Sequence, residues 1–153
     1  MMKDRHGTKH IAFMMLGVAI YLASAASFWE FTVDDAYISA RYANNAALGR
    51  GFVFNVGERV MGYTSLLYVL LQSVVYRWGG DGLFAAKLVG LAAGAGVLFL
   101  TASLADRLDR DSDTAGGLLA AGLLAVFPFL PLSSVTGLES SLFTLLVLAG
   151  ILT

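Results

Sequence analysis

The chain has 153 residues, 58% hydrophobic and 14% charged, with a net charge of −1 and a mean hydropathy of +0.73. A soluble domain carries about 25% charged residues, so this balance excludes an ordinary soluble fold, and the near-neutral charge argues against a nucleic-acid-binding face. There is no cysteine, and both histidines, His6 and His10, lie in the N-terminal tail, which removes disulfide frameworks, thiolate metal sites and His-based triads.

Residues 1–10 read as a cytoplasmic tail, because Lys3, Arg5 and Lys9 precede a long apolar run and positive charge stays inside. Residues 11–29 are uncharged and long enough for a first transmembrane helix. Ala23-Ser24-Ala25 looks like a signal-peptide cleavage site, but the apolar run continues to Trp29, longer than such a region usually is. Residues 30–81 form an external loop. Within it, 35–48 read as a short helix capped by Thr32 or Asp34 and ended by Gly49 and Gly51. Phe52-Val53-Phe54 reads as an extended stretch and Asn55-Val56-Gly57 as a turn.

Residues 60–76 are uncharged but short, contain Gln72 and are followed by Arg77 and Trp78. They fit either a short span or a helix lying in the membrane interface, over 63–78. Residues 82–105 read as a second transmembrane helix, and 106–113, with Arg107 and Arg110, as a cytoplasmic loop. Residues 114–132 read as a third helix, 133–139 as an external loop, and 140–153 as the start of a fourth helix. With no polar tail after Thr153, the chain reads as the N-terminal part of something longer. The expected fold is an all-α polytopic membrane protein with about four transmembrane helices and a first external loop bearing short interfacial helices.

Asp34-Asp35 is the sharpest feature, an acidic pair just past a membrane helix. Either carboxylate could take a proton from a hydroxyl, or the pair could hold a divalent cation, Mg or Mn. On spacing alone a helix cap plus a solvated acid is the simpler account. Tyr37, Arg41 and Asn45 follow at helical spacing and offer a polar face to a ligand, or a solvated one. Arg50 and Arg59 could neutralise a phosphate. Tyr63 and Thr64 cap the next helix or line a groove. Glu139 is the single acid between residues 114 and 153, and an ionisable group beside membrane segments is a functional candidate. Gly90, Gly94 and Gly96 suit close helix packing.

The run from Asp34 to Ser65, DDAYISARYANNAALGRGFVFNVGERVMGYTS, resembles the first external loop of GT-C-type integral membrane glycosyltransferases. It is most similar to the arabinofuranosyltransferase-like enzymes of cell-envelope assembly, whose loops read roughly DDAYI-x-x-RYA-x-N and then G-x-G-x-V-F-N-x-GERVEGYT. VTGLESSLF, from Val135 to Phe143, resembles that family's SGLET-type segment. Met61 stands where a Glu is common and Leu66 where a Pro or Asn is common. The family's hydrophobic stretch after this loop lies along the membrane surface, which favours the interfacial reading of 63–78 and an external Glu139.

The resemblance implies a mechanism and a place. A sugar would pass from a polyprenyl-phosphate donor to a glycan or lipid acceptor, on the external face of the cytoplasmic membrane and among membrane lipids. Asp34 or Asp35, with Asp34 slightly preferred by the motif, would deprotonate the acceptor hydroxyl. The other acid would bind metal or orient Arg41. Tyr37, Arg41, Asn45, Arg59, Tyr63, Thr64 and Glu139 are the candidate substrate contacts. Two rival readings are a non-catalytic membrane module that binds lipid-linked sugar or a partner protein, and a piece of a transporter.

Overall fold

The structure is a computed structural model that describes the backbone of residues 3–108 and 116–153 and the side chains from residue 11 onward. The side chains of Lys3, Arg5 and Lys9, and loop residues 109–113 with Arg110, lie outside the described residues. Those described form seven helices and no strand: α1 (Lys3–Ser27), α2 (Asp34–Ala47), α3 (Leu66–Arg77), α4 (Gly82–Leu108), α5 (Gly116–Val126), α6 (Phe129–Val135) and α7 (Ser140–Leu152). The all-helical expectation holds.

The expected count of about four transmembrane helices is not confirmed among the described residues. Among the described residues only α4 is, as a single helix, long and apolar enough to cross a membrane, at 27 residues or roughly 40 Å. The uncharged run 114–132 is not one helix. It breaks at Phe127-Pro128, where α5 and α6 meet at a 60° bend, as a broken span or a re-entrant loop. Pro128 has no N–H to continue the α5 ladder, and α6 starts from its carbonyl, which accepts from Leu132 N at 3.0 Å. This second helix carries on to Val135, into the stretch read as a loop. The described apolar part of α1 (Ile11–Ser27), α3 and α7 are apolar helices of 10–17 residues. With 12 residues, α3 reaches only about 18 Å.

Helix α4 is the hub and touches each of the other six helices. It can do so because its face is small. A β-carbon at Gly90 would fall on the Ser134 carbonyl, and one at Gly94 on the hydroxyls of Tyr21 and Ser134. The expectation of close packing at these glycines is met, and backbones approach where side chains are absent. Tyr21, Val97, Leu98, Ala125 and Leu130 form the main buried cluster. Among them Tyr21 Oη donates to Leu91 O at 3.1 Å, and the Ser134 and Ser141 hydroxyls meet at 2.9 Å.

Helices α2 and α3 pair with each other and sit against α4. Their own core is Tyr42, Ala43 and Val69. The outer side of α3 is apolar: Leu67, Leu70, Leu71, Val74 and Trp78 are exposed, while Gln72 is buried. A helix that turns leucines outward and an amide inward suits a lipid-facing position better than an aqueous one.

Candidate functional site

Helix α2 begins at the acidic pair, whose charges suit the positive end of the helix dipole. Neither Thr32 nor Asp34 caps it. Val33 takes the N-cap position with extended backbone (φ −80°, ψ 150°) and no side-chain cap bond. Its N–H donates instead to Thr136 O at 3.3 Å. That tie brings the 136–139 segment onto the start of α2. Gly137, at φ +86°, completes the fit, since a β-carbon there would press on Leu83 and Ala36. A second tie comes from Lys87 of α4, whose buried ammonium donates to Trp29 O at 2.6 Å and Phe31 O at 3.2 Å and lies 5.3 Å from the Trp29 ring centre. The link between α1 and α2 is thus fastened at both ends.

A cavity of about 200 Å³ lies between α2, the 62–64 segment and the start of α7. Asp35, Ser39, Tyr63, Thr64 and Glu139 line it. Thr64 Oγ1 donates to Glu139 Oε1 at 3.4 Å. The negative charge of Glu139 also reaches α3: burial pushes the Tyr68 phenol well above its ordinary pKa, and the Glu139 carboxylate pushes it further. Tyr68 keeps its proton and donates it to Ala86 O.

Four of the residues singled out in the sequence therefore converge: Asp35, Tyr63, Thr64 and Glu139. The others do not join them. Asp34 is exposed and does not line the cavity, since neighbours on a helix point about 100° apart. The pair therefore presents one acid to the cavity, and Asp35 with Glu139 is the carboxylate couple that shares it. Tyr37 is 56% exposed and lines no part of it. Arg41 donates through Nε to Phe54 O at 3.2 Å and lies over the Phe54 ring. Asn45 is buried, donates to Val53 O and Phe54 O at 2.8 and 3.0 Å, and accepts from Arg50 Nη1 at 3.4 Å. Arg41 and Asn45 thus staple the 51–54 loop to α2. The loop is bent rather than extended, and its 55–58 turn closes through Glu58 N to Asn55 O at 3.2 Å.

Arg59 lies in a second cavity, of about 380 Å³, together with Arg50, Phe52, Met61 and Tyr63. Tyr63 is common to both cavities. One side of it carries two carboxylates, the other two guanidinium groups.

Tyr42 went unremarked in the sequence and is central here. It is buried, its Oη donates to Val60 O at 2.6 Å and accepts from Gly62 N at 2.9 Å, and its ring meets Tyr63 edge-on at 4.9 Å. It fixes the strap that forms a wall of each cavity. Its signal was the spacing Asp35, Ser39, Tyr42 along one helix face. In the sequence Lys87 gives only weak support to the transporter alternative, as a lone charge beside an apolar run; its tie to the α1–α2 link went unremarked.

A scan against protein-family models finds no match for this chain, and neither do comparisons with curated proteins and with solved structures.

Proposed function

We propose that this chain carries the acidic site of a membrane glycosyltransferase, which moves a sugar from a polyprenyl-phosphate donor to a hydroxyl of a glycan or lipid acceptor. The observation that carries the reading is the cavity shared by Asp35 and Glu139, walled by Tyr63 and Thr64. The resemblance of the Asp34–Ser65 run supports it, as do the outward-facing leucines of α3 and the span-length α4, which suit a lipid-linked substrate.

Asp35, rather than Asp34, is the base in this reading, because it faces the cavity. Its carboxylate takes the proton of the acceptor hydroxyl while that oxygen bonds to the anomeric carbon. The bond from that carbon to the lipid-phosphate oxygen breaks, and the phosphate leaves with the electron pair, inverting the centre. Proton transfer of this kind contributes about 10²–10⁴ in rate. Asp35 and Glu139, the two carboxylates that line the cavity, are the residues that would hold a divalent cation, since such ions can bind through one or two carboxylates plus substrate oxygens. It would supply charge neutralisation at the departing phosphate. The site would face the exterior of the cytoplasmic membrane, with α3 in the interface.

The test uses the whole chain in liposomes with a radiolabelled polyprenyl-phosphate sugar and hydroxyl acceptors. Read as an N-terminal part, the chain is expected to be inactive by itself, so label should pass to the acceptor when the chain is supplied together with any sequence that continues it. Asp35→Asn should abolish transfer while membrane insertion and donor binding persist. Donor binding without transfer even then would favour the binding-module reading. Equal transfer by Asp35→Asn would sink the assignment of the base.

A further inference from the structure

We infer that the Arg50–Arg59 cavity is a binding site for a phosphate ester, carried on a sugar or on a prenyl chain. Its size, about 380 Å³, is that of a small-molecule site rather than of a bare ion. Two guanidinium groups line it and, among the described residues, no acid does. The nearest acid in sequence, Glu58, is engaged elsewhere, accepting from Asn55 Nδ2 at 3.0 Å. Guanidinium groups pair with phosphate oxygens through two parallel N–H bonds, and they remain charged at every accessible pH.

The cavity is also preorganised. Arg50 is steadied by Asn45 Oδ1, and Asn45 is itself buried and fixed to the carbonyls of Val53 and Phe54. Arg59 follows the closed 55–58 turn and precedes the strap that Tyr42 holds at Val60 and Gly62. Both arginines thus project from segments anchored to α2. Phe52 and Tyr63, whose ring centres are 6.3 Å apart, add aromatic surface for the ester's carbon portion. Met61, 78% exposed, keeps the rim free of negative charge. A carboxylate at that position would stand beside the guanidinium groups and compete with an incoming anion.

Because Tyr63 is shared, an ester seated on the arginines lies next to the Asp35–Glu139 cavity. That this position serves transfer rests on the function proposed above; the binding of the ester does not.

The experiment is calorimetric titration of the whole chain in detergent with four probes: a hexose phosphate, its parent hexose, farnesyl phosphate and farnesol. At least one phosphate ester should bind saturably, and its neutral counterpart at least tenfold more weakly. Arg50→Gln and Arg59→Gln should each weaken binding roughly tenfold, and Met61→Glu at an exposed position should do the same without loss of fold. Preference for the hexose ester identifies a sugar-borne phosphate; preference for the farnesyl ester identifies a lipid-borne one. Equal binding of the neutral counterparts, or parental affinity in all three variants, overturns the site. Ester binding that depends on both arginines in a chain that never transfers sugar would sink the transfer reading and leave this site standing. Sugar transfer with parental donor affinity in the arginine variants would sink this site alone.

Discussion

Thr64 and Glu139, 75 residues apart in sequence, meet through their side chains at 3.4 Å. Both residues line the acidic cavity together with Asp35, and their contact joins the end of the first polar loop to the start of α7. The chain contains no cysteine, so this contact is open to a clean test. Thr64→Cys combined with Glu139→Cys should be cross-linked efficiently by a short bis-methanethiosulfonate. Tyr37→Cys with Glu139→Cys should not, because Tyr37 faces away from the cavity. Equal cross-linking of both pairs would refute the arrangement.

Removing the Tyr42 hydroxyl should loosen the strap without emptying the core. Tyr42→Phe keeps the ring against Ala43, Val69 and Tyr63 but loses the bonds to Val60 O and Gly62 N. Both backbone partners are at exposed residues and can turn to water, so the stability cost should stay near about 1 kcal/mol. The local effect should be larger: limited trypsin digestion should cut after Arg59 several-fold faster. An unchanged cleavage rate would show that the strap does not depend on Tyr42.

Gln72 is 1% exposed, and among the described residues neither its amide nitrogen nor its carbonyl oxygen has a hydrogen-bond partner. A buried group left unpaired costs about 1–3 kcal/mol. Gln72→Met, similar in length and without the amide, should raise the thermal midpoint in detergent. A lowered midpoint would mean that the amide holds a partner, such as a buried water.

The α4 face predicts a contrast between two glycines. Gly90→Val must displace the Ser134 backbone and should destabilise the bundle by at least about 1–3 kcal/mol. A β-carbon at Gly150 meets nothing within 4 Å among the described residues, and Gly150→Val should lie within about 0.5 kcal/mol of the parent. Similar losses for both would place the α4–α6 contact in doubt.

Tyr68 supplies a pH test. Its folded pKa is raised by burial and by Glu139, above an unfolded value of about 10. A raised value means that the stabilising contribution is complete below pH of about 10 and falls away as pH climbs from there through the folded value. Followed by tyrosinate absorbance, Tyr68 should titrate later than a free tyrosine side chain in water. Glu139→Gln should bring its midpoint down. A midpoint indifferent to Glu139 would mean that the carboxylate is not near α3.

Much of this was readable before the fold was known, and the reasons differ by residue. α2 was legible because its boundaries are local chemistry: acids at the start, and Gly49 at φ +73° at the end, with Gly49 N on Ala46 O and Arg50 N on Asn45 O. The Asn55–Glu58 turn was legible for the same reason. The break at Phe127-Pro128 was missed because hydropathy counts charges, and a proline inside an apolar run changes none. The polar face drawn through Asp34, Tyr37, Arg41 and Asn45 follows correct helical spacing, but spacing alone does not say which face meets another segment. That depended on Thr136, Gly137 and Glu139, about a hundred residues away. Arg41 and Asn45 looked ligand-ready, yet their donors go to the carbonyls of a loop that begins a few residues later, a local demand that composition does not reveal.

The acidic cavity draws its two carboxylates from Asp35 and Glu139, and its wall from the 62–64 strap. A chain emerging from a ribosome therefore completes Asp35, the strap and all of α4 while the cavity still lacks its second acid. Leu138, Glu139 and Ser140 arrive only after α5 and α6 have made their bend. The site is thus completed only after α1 to α6 have been made, and a polypeptide stalled at the Phe127-Pro128 corner would display Asp35 on an open shelf without Glu139.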